Sequence, residues 1–351
     1  MYGRYDGRGR GAARPWLVAG AAATGAMLTL AGCSSSGGGD DSDDKAPGAT
    51  KQRPKAESPY WVNPRGKAAK QVRTYESRGK SGDAKLIKKI AGQPLAEWIR
   101  PEDPRAETER VTKAAAKADR SALLVLYNIP HRDCGQYSKG GAKDAGEYRD
   151  WLGKIVKGIG DRSATVIVEP DSLPHLLAEG CTPKQFHDER YELLNEAVTK
   201  LKELPGTKVY LDAGNPDWVR DPGGLVEPLN RSGIAKADGF ALNVSNFQTT
   251  KSNIAYGKKL SPMIGNKPFV IDTSRNGNGP VEGAHADEEA WCNPSGRALG
   301  EAPTTRTGEK LVDAYLWVKR PGESDGECKG GPKAGEWWAT YALGLARNSG
   351  R

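Results

Sequence analysis

Seven short runs of apolar, β-prone residues recur along this chain with helical patterns between them. The runs cover 96–99, 123–127, 165–169, 208–212, 239–244, 269–273 and 314–318. Most are near-continuously apolar, as expected for parallel strands covered on both faces. Helical patterns fall at 146–159, 183–204, 223–236 and, after the last run, 334–347. Thr182 followed by Pro183 reads as an N-cap and first helical position. Repeated β-then-α units define an α/β fold. Periodicity alone leaves open whether seven strands form a barrel or an open sheet.

The runs end in polar chemistry. Arg132-Asp133 come soon after the second and Glu169-Pro170-Asp171 close the third. Asp212, Asn243 and Asp272 mark the fourth, fifth and sixth, and Lys319 follows the seventh. In α/β barrels and open α/β sheets, sites form beyond the carboxyl ends of the strands. One such aspartate would be read as a helix cap or a ligand of loop amides. Carboxylates after four strands, with more after the seventh, exceed that explanation.

The N-terminus reads as an export signal. Four arginines precede an apolar run over 16–31 that is short and rich in Ala and Gly, poorly suited to spanning a bilayer. It ends in Leu30-Ala31-Gly32-Cys33, which looks like a bacterial lipoprotein signal with Cys33 as the lipidated residue. An ordinary secretory signal is the other reading, and both mean export. Residues 1–32 are therefore assigned to the signal. Without them the formal charge falls from +8 to +5. The basic clusters lack interleaved aromatics, so they are read as solvated surface, not as nucleic-acid contacts. Residues 33–57 have almost no apolar content and are read as a disordered linker, a tether of roughly 25–30 Å. A folded domain occupies 58–351.

Besides Cys33 there are four cysteines, Cys134, Cys181, Cys292 and Cys328. An even number in an oxidising compartment implies two disulfides, with three pairings open. No metal-binding spacing occurs among the Cys and His residues, so no metal and no cofactor are expected.

Two segments carry a resemblance. Val125-Leu126-Tyr127-Asn128-Ile129-Pro130-His131-Arg132-Asp133-Cys134 fits a V-x-Y-x-x-P-x-R-D-C pattern, and Val166-Ile167-Val168-Glu169-Pro170-Asp171-Ser172-Leu173 contains E-P-D-S-L. Further blocks around Asp212, Asn243, Asp272, Trp291 and Trp317 follow in matching order. Together they resemble glycoside hydrolase family 6, the endo-β-1,4-glucanases and cellobiohydrolases, over residues 60–348. The resemblance implies a distorted, partly open α/β barrel of about seven strands in one catalytic domain. It also implies the disulfides Cys134–Cys181 and Cys292–Cys328, and inverting hydrolysis of β-1,4-glucan.

The roles it implies can be set beside local alternatives. Inverting hydrolysis needs a protonated carboxyl for the leaving oxygen and an activated water on the opposite face of the sugar. Asp171 matches the general acid; locally it also fits a helix N-cap. Asp133 matches the aspartate that raises the acid's pKa; locally it could pair with Arg132. Asp325 matches the residue proposed as base, acting directly or through waters; locally Asp325-Gly326 reads as a turn. Lys319 and Glu323 match residues holding sugar hydroxyls. Asp212 and Asn246 are assigned to substrate binding, and Tyr127 sits beside the central sugar. Trp218 and Trp291 match sugar-stacking indoles on either side of the cut, and Ser138 could help hold the water. Asp272 and Arg275 are read as a structural network at the cleft floor. Asn215 departs from the pattern, since many members carry His there.

The segment at 281–289 is short, which favours an open cleft and endo action over a cellobiohydrolase tunnel. A non-catalytic glucan-binding lipoprotein is the alternative of a different class. A monomer bound to a β-1,4-glucan chain, and to the membrane through Cys33, is the expected assembly.

Overall fold

The computed structural model describes residues 58–349, apart from 136, 138, 179–180 and 282–288. The signal, Cys33, the linker, Ser138 and most of the 281–289 segment therefore lie outside the described residues.

Seven strands, β1 (Glu97–Ile99), β2 (Ala122–Leu126), β3 (Ala164–Val168), β4 (Thr207–Asp212), β5 (Gly239–Leu242), β6 (Phe269–Asp272) and β7 (Val312–Leu316), form one sheet in chain order. Every neighbouring pair is parallel. Among the described residues the two edges share one backbone bridge, Leu95 to Trp317, where the Ala96 N–H donates to the Trp317 carbonyl (3.1 Å). The sheet is thus the partly open barrel that the resemblance implied.

Alternation within the strands sorts side chains into two cores. Leu123, Val125, Ile167, Tyr210, Ala241, Val270 and Leu316 pack inside the curl. Their neighbours, Leu124, Val166, Leu211, Phe240 and Ile271 among them, pack outward against helices. Both faces are dry, which is why the runs read as continuously apolar.

Nine helices accompany the sheet among the described residues: α1 (Lys67–Ser77), α2 (Ser81–Ala91), α3 (Pro104–Lys117), α4 (Ala145–Ile159), α5 (Pro174–Leu177), α6 (His187–Lys202), α7 (Val226–Arg231), α8 (Thr250–Met263) and α9 (Ala339–Asn348). Three of them start on a side-chain cap. Asp103 accepts from the Ala106 N–H with Pro104 at the first position, Asp144 caps α4 at Glu147 N (2.8 Å), and Thr249 caps α8. α8 crosses β6 so closely that a Cβ on Gly257 would lie 2.3 Å from the Phe269 ring. α1, α2 and α9 share a third core around Ile87, Ile90 and Leu345. No described helix is long and apolar enough to cross a membrane.

The expected cap at Thr182 is not formed. α6 begins at His187 after a 3₁₀ turn over Lys184–Phe186. The Thr182 hydroxyl instead accepts from Arg190 (3.1 Å). The last helix starts at Ala339, not 334, because Trp337 still bridges Glu323.

Candidate active site

The carboxyl ends of the strands open into one large cleft of about 1000 Å³. The turn after β3 is its most constrained wall. Glu169 (φ 46°) and Asp171 (φ 68°) both take left-handed backbone conformations, which non-glycine residues adopt only where surrounding structure holds them. That hold is visible. The fully buried Glu169 carboxylate accepts from Asn128 N (2.8 Å) and Ile129 N (2.9 Å), fastening the β3 turn to the end of β2. Burial pushes its pKa up to about 7, against the pull of those amides. The Asp171 N–H donates to Asp212 Oδ2 (2.9 Å), fastening the same turn to β4.

Asp171 therefore faces the cleft from a fixed backbone. Its side chain does not cap α5, whose N-cap is Leu173 without a side-chain bond. Desolvation raises the Asp171 pKa well above the usual carboxylate range, and the negative charges of Asp212 and then Asp133 add to it. Tyr127, through a side-chain hydrogen bond, and Lys319 act the other way. Buried Asp212 is itself pushed up to about 7, mainly by desolvation. Asp133 begins a 3₁₀ turn with φ 61° and lines the same cleft. Neighbouring Arg132 lies over the Tyr127 ring at 4.6 Å and donates to the Tyr127 carbonyl.

Asp325 has the opposite environment. Its carboxylate pairs with Arg275 (2.8 Å) and Lys319 (2.7 Å) and accepts from Asn293 N (3.0 Å). Burial would raise its pKa, but the two cations outweigh it and hold the group at about 2. Its own N–H donates to Asn293 Oδ1 (2.9 Å), so Asp325 is a cross-link between loops and not a simple turn residue. Arg275 is fully buried, with its guanidinium over Phe247 at 4.4 Å. Asp272 accepts from four backbone amides, those of Ser245, Ser274, Val318 and Lys319. It ties the ends of β5, β6 and β7 together, as a residue of the cleft floor should.

The expected aromatics line the cleft. Trp218 is 38% exposed, and Asn215 Oδ1 holds its loop by accepting from the amides of Asp217 and Trp218 (3.1 Å each). Trp291 lies on the wall beside Tyr137, ring centroids 6.2 Å apart. Asn246 also borders the space, though its Oδ1 is engaged by the Phe247 amide (2.8 Å). Glu323 is buried and paired with Lys67 (2.9 Å) and Arg320 (3.0 Å), a link to α1 that no local pattern announces.

Trp98 and His175 are among the cleft residues not singled out from sequence. Trp98 stands edge-on to Tyr127 at 5.4 Å, with its indole N–H on the Val318 carbonyl (2.9 Å). Its signal was present: Trp98 registers with Val125, an inward-facing position. His175, four residues past Asp171, had no periodic or motif signal. The disulfides are Cys134–Cys181 and Cys292–Cys328, with Cα separations of 5.0 and 6.3 Å. Cys134, Cys181 and His175 bring possible ligand atoms within 4.8 Å of one another, but both sulfurs are committed to the disulfide.

The arrangement sets a carboxyl raised above its usual range, Asp171, and a carboxylate held low by two cations, Asp325, in a cleft walled by indoles. Comparison with known proteins gives the same direction. The model of the family described as "Glycosyl hydrolases family 6" matches residues 55–349. Endoglucanase A of Cellulomonas fimi is 41% identical over 302 residues, covering 84% of this chain and 62% of that protein. The chain thus spans less than two thirds of that relative. Endoglucanase 1 of Streptomyces halstedii is 38% identical over 278 residues, covering 77% of this chain and 82% of that protein. The endoglucanase Cel6 of Mycobacterium tuberculosis, solved in complex with methyl-cellobiosyl-4-deoxy-4-thio-β-D-cellobioside, superposes with a TM-score of 0.77 at 40% identity. That match covers 84% of this chain and 99% of that one. With the motifs in order and Asp133, Asp171 and Asp325 lining one cleft, this chain belongs to glycosyl hydrolase family 6.

Proposed function

We propose that this protein hydrolyses β-1,4-glucosidic bonds within glucan chains, inverting the anomeric configuration, with Asp171 as general acid. The observation that carries this reading is Asp171 itself. It is a half-buried carboxyl on a fixed turn whose pKa is driven up by desolvation and by Asp212 and Asp133. Such a group keeps its proton near neutrality and can deliver it to the leaving oxygen.

Asp325 serves as the second carboxylate. Held at about 2 by Arg275 and Lys319, it stays ionised throughout the working range. A weak base is sufficient here. As the C–O bond opens, positive charge grows on the sugar, and the water that adds to it becomes strongly acidic. Asp171 loses its proton to the departing hydroxyl, and the water's proton passes toward Asp325, directly or through further water. Lys319 and Glu323 bind sugar hydroxyls, Tyr127 flanks the central sugar, and buried Asp212 acts on the substrate through its neighbours, holding the Asp171 amide. Trp218 and Trp291 stack the units on either side, with Ser138 and Asn246 as further contacts.

Endo action is favoured by relatives named as endoglucanases at 38–41% identity. The protein is further proposed to act as an exported monomer, held to the outer face of the cell membrane by lipid on Cys33 and by the 33–57 tether. The folded domain at 58–351 would then trim glucans within reach of the surface.

The experiment is incubation of the purified protein with carboxymethylcellulose and with cellohexaose, following anomers by NMR over the first minutes. Early α-anomer together with rapidly falling viscosity is the expected result. β-Anomer as first product would overturn inversion, and release of cellobiose without viscosity loss would overturn endo action. Binding of cellohexaose without cleavage would replace the enzyme by a glucan-binding protein.

A further inference from the structure

The wall between Asp171 and Trp218 contains a group to which no task has been given. The His175 N–H donates to the Asp171 carbonyl (2.9 Å) at the start of α5. Its ring stands nearly edge-on to the Trp218 indole, centroids 5.1 Å apart at 67°. Behind it a ring nitrogen lies within 4.8 Å of the sulfurs of Cys134 and Cys181. The residue is 9% exposed, and what remains open faces the cleft. Neither ring nitrogen has a hydrogen-bond partner among the described residues. By contrast, His187 Nε2 lies 2.8 Å from the Thr182 carbonyl.

A polar ring at the edge of a cleft, with no partner among the described residues and with nitrogens that are not fully buried, is free to pair with whatever the cleft holds. Burial and nearby Arg190 push its pKa down to about 4, so the ring is neutral above that pH. A neutral imidazole has one donor and one acceptor, and a sugar hydroxyl also donates and accepts. The Trp218 indole offers an apolar face to the C–H side of a sugar ring. An imidazole with its centroid 5.1 Å from that indole's is close enough to reach a hydroxyl of the stacked sugar.

We propose that His175 is a substrate-binding residue of the Trp218 side of the cleft. Its imidazole hydrogen-bonds a hydroxyl of the glucosyl unit that stacks on Trp218. This deepens the β-glucan reading above and rests on it.

The test uses the purified full chain with cellohexaose as probe. In an Asp171→Asn background, which prevents turnover, the His175 ring ¹⁵N signals should move on titration with cellohexaose and settle into one tautomer. Those of His187 should stay in place. His175→Phe keeps a ring against Trp218 but removes both nitrogens. It should weaken cellohexaose binding about tenfold, the effect of one hydrogen bond of roughly 1.4 kcal/mol. In the active protein it should raise KM by the same factor with kcat within about twofold, and His175→Asn should recover part of the loss. Unchanged affinity and KM in His175→Phe, with unresponsive His175 signals in the parent, would overturn this inference while leaving the glucan reading intact. A parent that neither binds nor cleaves cello-oligosaccharides would overturn both.

Discussion

At the scale of single residues, the same side-chain type performs opposite tasks because its neighbours differ. Asp171 lies among carboxylates and desolvating walls, which favour its protonated form; Asp325 lies between two cations, which favour its ionised form. Asp171→Ala should lower kcat on cellohexaose by ~10²–10⁴-fold while changing its affinity little. A substrate with an activated phenol leaving group should lose much less, because it needs no proton. Equal losses on both substrates would argue against an acid role. Asp325→Ala needs a different measurement. It strands fully buried Arg275, so a loss of about 3–5 kcal/mol in stability is expected. Thermal unfolding must accompany any assay of that variant. A variant that keeps the parent Tm yet is inactive would place Asp325 in chemistry alone.

At the scale of elements, α6 works as a latch on the loops that carry the chemistry. Buried Arg190 donates to the carbonyls of Pro130 (2.9 Å), His131 (2.8 Å) and Ser172 (3.1 Å) and to the Thr182 hydroxyl. One planar fork thus spans the loops of Asp133 and Asp171. Lysine cannot reproduce that geometry. Arg190→Lys should leave buried acceptors unpaired and cost about 2–3 kcal/mol, and it should reduce kcat with the loops loosened. A variant with parental Tm and kcat would show that the loops hold themselves.

This latch marks the boundary of what the sequence allows to be read. The strands were legible because both their faces are dry, which writes burial into consecutive residues. The carboxylates at their ends were legible because topology fixes where strand ends converge. α1, α2, α3 and α8 were not. In α3 and α8 the buried stripes mix small or polar residues with few large apolar ones: Thr108, Thr112 and Ala115 sit beside Val111, and Asn253, Gly257 and Ser261 beside Tyr256 and Leu260. Trp98 was legible in principle through strand register. Arg190 and His175 were not, because their partners lie far away in sequence or in the cleft.

At the scale of the whole molecule, the site's electrostatics set how stability depends on pH. Glu169 and Asp212 are raised to about 7 from ordinary values near 4, and Asp171 and Asp272 are raised as well. In the range between their unfolded and folded pKa values, the folded state binds more protons than the unfolded chain at these positions. For Glu169 and Asp212 that stability is full below about pH 4 and is lost as pH rises through 7, and Asp171 and Asp272 add in the same direction. Two groups oppose this. Asp325, held at about 2, adds stability above its ordinary range that is lost as pH falls toward 2. His175, lowered to about 4, adds stability above 6.5 that is lost as pH falls toward 4. Several carboxyls outweigh one imidazole between pH 5 and 7, and Asp325 takes over only in strong acid. The Tm should therefore peak near pH 4–5 and decline toward pH 8. Calorimetric scans across that range check this, and Glu169→Gln should flatten the decline by removing one of its sources. A Tm that climbs from pH 5 to pH 8 would mean that these carboxyls are ionised in the folded protein. Asp171 could then not hold the proton that the proposed hydrolysis requires.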